Sequence, residues 1–191
     1  AQVPGANIAL HGNNKSEAEI ARAIRNGLGR VVADSVDELK LIEDVYAELA
    51  AERVAEGEEP YAPVPVLIRI TPGVHASTHE SIATAHEDQK FGMSLQPGTA
   101  ALAGLEEAEM EHWGVEATDS YAALAAAILN ATDSLDFRGI HCHIGSQIFE
   151  AEGFEQAATT ALEFMNRLNR DLGVTLPELD LGGGYGIGYT E

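Results

Sequence analysis

The sequence predicts a parallel α/β fold, and three observations predict it. Nearly all-apolar runs, such as Val64-Pro65-Val66-Leu67-Ile68-Arg69-Ile70, alternate along the chain with segments at helical spacing. A strand that is apolar throughout has to be covered on both faces, which is the condition of a parallel sheet with helices packed outside it. The loops rich in Gly, His and Ser (His11 to Ser16, Arg69 onward, His143 to Ser146, Gly182 to Gly188) all follow strands. In parallel α/β folds, ligands bind at the carboxyl ends of the strands, so these loops are expected to share one site.

Taken in order, Gly5 to Leu10 reads as the first strand. Ser16 with Glu19 three residues on makes a capping box, opening a helix marked by Ile20, Ile24 and Leu28 that stops near Gly27 or Gly29. Arg30 to Asp34 is the second strand. Ser35 caps a helix carrying Val36, Leu39, Ile42, Tyr46 and Leu49 on one face, with Lys40 read as a solvated residue. Residues 52 to 63, rich in Glu and closed by two prolines, are expected to loop over the surface.

The strand at 64 to 70 ends in the charged Arg69. Residues 71 to 96 lack clean periodicity, and an irregular stretch of that length more often belongs to a binding site than to nothing. Pro97 to about His112 and Asp119 to about Ala131 read as helices. Phe137 to Ile144 is the fourth strand. A helix from about Phe154 to Leu172 follows, with Phe154, Ala158, Leu162, Met165 and Leu168 on its face and Gly173 as its stop. Leu179 to Leu181 is the fifth strand. An open sheet and a barrel both satisfy this pattern; an eight-stranded barrel needs about 250 residues, so a barrel would be incomplete at this length.

Composition narrows the partners. Eleven Lys plus Arg stand against 31 Asp plus Glu, a formal charge of −20. Such a field repels nucleic acid and anionic membranes. One cysteine, Cys142, excludes an internal disulfide, and with neither a signal-like segment nor a spanning apolar run the expected location is the cytoplasm.

The chemistry concentrates in Leu179-Asp180-Leu181-Gly182-Gly183-Gly184-Tyr185-Gly186-Ile187-Gly188. Glycines allow positive φ and close approach of a ligand to successive amides, which suits a phosphate. The dinucleotide spacing Gly-x-Gly-x-x-Gly fails at Ile187. A plain turn after a buried strand is the competing reading of this stretch. His141 and His143 lie two apart and project to one side, a weak metal signal that makes a metal-dependent barrel hydrolase an alternative. The bland reading of His141 is a core histidine with a satisfied ring. His143 can instead lie flat against an aromatic cofactor while Ser146 and the amides of Gly182 to Gly184 take its phosphate. Pyridoxal phosphate has those needs, together with a lysine. Among Lys15, Lys40 and Lys90, the last adjoins Phe91-Gly92 and reads equally as a structural ion-pair partner, while Lys15 lies near the strand ends but, as the fifth residue of a loop, is expected to be poorly held.

Several segments together resemble one known family. His11-Gly12-Asn13-Asn14-Lys15-Ser16, Arg69-Ile70-Thr71-Pro72-Gly73-Val74, Thr78-His79-Glu80-Ser81-Ile82, Lys90-Phe91-Gly92, His141 to Ile148 and Asp180 to Gly184 closely resemble bacterial diaminopimelate decarboxylases, in that family's order. The resemblance implies an incomplete (β/α)8 TIM barrel of the alanine-racemase-like, pyridoxal-phosphate-binding type, with about five of eight strands present. Residues 1–191 would be β/α units 3 to 7, without the family's C-terminal β-domain. It implies His143 as the ring-stacking histidine, Ser146, Gly183 and Gly184 as phosphate ligands, and Arg69 as a site arginine beneath the cofactor. The Schiff-base lysine would not be on this chain, Lys90 matches a motif of unassigned role, and no metal is implied. The implied reaction is decarboxylation of meso-2,6-diaminopimelate to L-lysine by a homodimeric parent. The chain alone is expected to be inactive, and its open strand edges to self-associate. A non-catalytic paralogue with the same barrel is the other alternative.

Overall fold

The computed structural model describes residues 3–73, 91–116 and 118–188. The chain runs β1 (Ala9–Leu10), α1 (Glu17–Arg25), β2 (Arg30–Ala33), α2 (Val36–Ala55), β3 (Val64–Thr71), β4 (Met93–Ser94), α3 (Glu107–Trp113), α4 (Tyr121–Ala131), β5 (Leu135–His141), α5 (Ala151–Leu172) and β6 (Glu178–Asp180). All strand pairings are parallel, in the order β1-β2-β3-β5-β6, with β4 paired to the last two residues of β3.

Side chains from distant strands decide between the open sheet and the barrel. Arg30 on β2 forms an ion pair with Glu178 on β6 although β3 and β5 lie between them. In a flat sheet those strands would stand about 14 Å apart. His11, just after β1, likewise brings its ring centroid to 5.0 Å from that of His141 at the end of β5. The sheet is therefore curled into a half-barrel, with its concave side holding Arg30 and Glu178 at one end and the histidines at the other. Curvature is built in at β5. The register with β3 shifts between Val66 and Leu67, and a Cβ at Gly139 would overlap the carbonyl of Glu178, so only glycine lets β6 approach.

The helices cover the convex side. Ser16 and Glu19 form the reciprocal capping box, the Glu19 N–H donating to Ser16 Oγ at 3.3 Å and the Ser16 N–H to Glu19 Oε2 at 2.9 Å. Ser35 and Ser120 cap α2 and α4 from one side only, their hydroxyls accepting the N–H groups of Glu38 and Ala123. Every residue from Ala122 to Leu129 of α4 is buried, because that helix lies between the sheet and both α2 and α5. The core joins β2, β3 and β5 to these helices through Val31, Ile42, Ile68, Ile128 and Ile140.

Several expectations need correction. Gly5 to Asn7 is a 3-10 turn whose Gly5 lies too close to the Asn26 carbonyl for any side chain, so the first strand keeps only Ala9 and Leu10. The helix α2 continues to Ala55, into the stretch read as loop, since nothing before Gly57 breaks it. The single helix expected from Pro97 to His112 is split by Gly104 at φ 63°, which separates a 3-10 turn at 100–103 from α3. In α5 the buried line is Phe154, Ala157, Ala161, Phe164 and Leu168, and Leu162 is exposed; the 3-4-3-4 spacing keeps one seam on the sheet, which Ala158 and Leu162 miss. The fourth strand, expected from Phe137 to Ile144, starts at Leu135 and stops at His141, so Cys142 to Ile144 are loop, with Cys142 and Ile144 buried. The irregular segment 71–96 contains the short β4, and its residues 74–90, including His75, Thr78, His79, His86 and Lys90, lie outside the described residues.

Candidate functional site

Four strand ends converge on one cavity of about 340 Å³, lined by His11, Arg69, His141, His143, Asp180, Gly182 and Gly183. It lies where a parallel barrel carries its chemistry, at the carboxyl ends of the strands. A larger cavity of about 520 Å³ lies at the opposite ends, lined mostly by apolar groups around Ile24, Leu28 and Tyr61, and it gathers no comparable set of imidazoles and glycine amides.

The glycine turn is fitted against the β5 loop. Gly182 adopts φ 74°, and a Cβ there would sit 2.8 Å from both the Cys142 carbonyl oxygen and His143 Nδ1. The Gly183 N–H donates to His143 Nδ1 over a long 3.4 Å, while a Cβ on Gly183 would meet nothing within 4 Å. Gly184, at φ 101°, packs directly on the Gly145 carbonyl with no room for a side chain. The two loops then run together: the Ile148 N–H donates to Gly184 O at 2.9 Å and the Gly186 N–H to Ile148 O at 2.8 Å. Asp180 Oδ1 caps the turn by accepting from the Gly182 N–H at 2.7 Å. An imidazole, a guanidinium and the glycine backbone, with free space beside Gly183, therefore border one cavity. That donor set fits a phosphorylated aromatic ring.

Arg69 is held rather than free. Its Nη1 lies 3.3 Å from Asp34 Oδ1, and its guanidinium carbon is 5.1 Å from the Phe91 ring centroid. Asp34 also accepts the Gly92 N–H at 3.2 Å. Behind it, Glu38 accepts the Asp34 N–H at 2.9 Å and pairs with Lys15 Nζ at 2.7 Å, and Lys15 also donates to the carbonyls of Gly12 and Val32 at 2.6 Å. Lys15 is thus buried and triply engaged, contrary to the expectation of a loosely held loop residue. Lys40, expected to be solvated, pairs with Glu109 at 2.5 Å and lies over Trp113.

The sequence-predicted residues fall into two groups. His143, Arg69 and Gly183 line the cavity, whereas Ser146 is exposed beside it and Gly184 lies behind the lining, against Gly145. His11, Asp180 and Asp34 were not singled out as site residues, and His141 only as half of the candidate metal pair with His143; all four end or follow strands in the sequence, which is the available signal. The satisfied ring expected for His141 is a further correction: at 4% exposure its Nδ1 has no hydrogen-bond partner among the described residues.

Burial is the main influence on the titrating groups. It pushes His141 down to about 4, with Asp180 opposing and His11, Arg69 and His143 adding to the fall. It lowers His143 too, reinforced by Arg69. Burial pushes the Cys142 thiol up to about 12, so that thiol is no nucleophile. Because folded His141 titrates below the ordinary 6.5, the unfolded chain binds the proton first. Stability is therefore complete above about pH 6.5 and is lost as pH falls toward 4. Urea midpoints across that window should fall more steeply for the natural chain than for H141N; parallel slopes would contradict the assignment.

A parallel half-barrel with a glycine-and-imidazole cavity at its strand ends belongs to the class of barrel proteins that hold a phosphorylated cofactor. The family model described as "Pyridoxal-dependent decarboxylase, pyridoxal binding domain" matches residues 1–118 and 106–191, and the chain belongs to that family. It is 46% identical over 190 residues to a diaminopimelate decarboxylase of Corynebacterium efficiens, covering 100% of this chain and 34% of that protein. It is 37% identical over 193 residues to the Mycobacterium tuberculosis diaminopimelate decarboxylase, covering 99% and 36% respectively. Among solved structures it is similar to the M. jannaschii diaminopimelate decarboxylase in complex with L-lysine, with TM-score 0.73, 27% identity, and coverage of 99% of this chain and 36% of that one. The Helicobacter pylori enzyme complexed with L-lysine gives TM-score 0.72 at 25% identity, covering 98% and 38%. The chain spans about a third of the length of these relatives.

Proposed function

We propose that residues 1–191 supply β/α units 3 to 7 of a pyridoxal-phosphate barrel which, with further chain including a C-terminal β-domain, decarboxylates meso-2,6-diaminopimelate to L-lysine as a cytoplasmic homodimer. The observation that carries the reading is the meeting of His143 with the backbone of Gly182 and Gly183 in one cavity. Bound pyridoxal phosphate supplies an electron sink for the carbon that loses its carboxylate. His143 would support the ring, Ser146 with the Gly183 and Gly184 region would hold the phosphate, and Arg69, steadied by Asp34, would lie beneath. An anionic cofactor enters a chain of charge −20, so the amides and Arg69 have to outweigh that field locally.

Titrating the 191-residue chain with pyridoxal phosphate, followed by absorbance, should show saturable one-to-one binding that weakens at least tenfold in H143A. Equal binding by H143A would overturn the reading. Among the described lysines, Lys15 and Lys40 are both engaged in ion pairs. Accordingly, no carbon dioxide should be released from diaminopimelate by this chain with added cofactor, and measurable release would contradict that assignment.

A further inference from the structure

We propose that His11, His141 and Asp180 form a binding site for a divalent transition-metal ion of the zinc class. One ligand atom from each of the three residues lies within 4.8 Å of the others. They come from the loop after β1 and the ends of β5 and β6, so three separate strands of the curled sheet fix their positions. Two imidazole nitrogens and a carboxylate oxygen form a set that zinc accepts, with a fourth position left to water.

A second observation is independent of the cluster itself. His141 is 4% exposed, and its Nδ1 is buried without a hydrogen-bond partner among the described residues. A buried unpaired nitrogen is unfavourable, and coordination through it would give it a partner. A zinc site needs its donors roughly 3.4 Å apart, given bonds of about 2.0–2.2 Å. The exposed His11 ring can close that gap by rotating about its side-chain bonds.

Electrostatics favour the ion. The charge of −20 raises the local concentration of dications. Arg69, a cation lining the same cavity, is already paired with Asp34 at 3.3 Å. Asp180 uses Oδ1 on the Gly182 amide, and no other hydrogen bond of its carboxylate is found among the described residues. This site goes beyond the cofactor reading and does not depend on it, although ion and cofactor would draw on the same cavity.

The test uses the metal alone. The full 191-residue chain, stripped by chelator, is titrated with zinc by calorimetry and with cobalt(II) by visible absorption. One ion per chain with micromolar affinity and a tetrahedral cobalt spectrum are expected. H11A should weaken binding at least tenfold; because His11 is exposed, that variant should keep the natural circular dichroism spectrum, and D180N should behave likewise. H112A, which alters an exposed histidine beside Trp113, should bind as the natural chain does. Undiminished binding in H11A and D180N, loss of binding in H112A, or no site at all would each overturn the proposal.

Discussion

Replacing Glu38 by alanine should cost about 3–5 kcal/mol of stability, the usual effect of removing one partner of a buried ion pair. Glu38 and Lys15 are each 6% exposed, and their side chains meet at 2.7 Å. Alanine leaves the Lys15 ammonium in the interior with only the carbonyls of Gly12 and Val32, and it also strips the Asp34 N–H of its acceptor. The damage should travel outward, since Asp34 holds both Arg69 and the Gly92 amide. Urea unfolding measures the loss. The double variant K15M/E38L should recover most of it, because an apolar pair of similar volume leaves no stranded charge. A loss below about 1 kcal/mol in E38A would mean that the pair is solvated in solution.

Replacing Gly184 by alanine should be the most damaging change in the glycine turn. Its φ of 101° disfavours any side chain, and a methyl group there would overlap the Gly145 carbonyl. Holding a non-glycine residue in such a conformation costs about 1–3 kcal/mol before the overlap is counted. The Ile148 to Gly184 hydrogen bond that ties the two loops should be lost with it. Pyridoxal phosphate affinity should fall at least tenfold alongside the urea midpoint. Gly183→Ala separates the two effects: its methyl meets nothing within 4 Å, so stability should hold while the ligand, which has to use that space, binds less well. Equal affinity in both variants and the natural chain would remove the glycine turn from the site.

Much of the layout was legible in the chain because it rests on local rules. The capping box at Ser16, the stop at Gly173 and the all-apolar run at β3 follow from a pair three apart, a single glycine and a contiguous stretch, and each is found. The family resemblance carried the curl of the sheet; the spacing of apolar residues left open sheet and barrel equal. Only the meeting of Arg30 with Glu178 and of His11 with His141 shows the concave side. Long-range polar pairs were not legible. Glu38 reads as one more acid on an amphipathic helix, and its partner Lys15 as a loop cation, because nothing in a helical pattern marks which acid turns inward. His141 was read as a core histidine with a satisfied ring, yet its ring lies against His11 and a nitrogen of it within reach of Asp180, partners from other strands that local sequence does not reveal.

The most direct test of the central claim is where pyridoxal phosphate lands. In a ¹⁵N-labelled chain titrated with the cofactor, the amides of Ser146, Gly182, Gly183 and Gly184 and the ring of His143 should shift most. Shifts centred instead on Leu28, Arg30 and Tyr61, at the opposite end of the strands, would contradict the account.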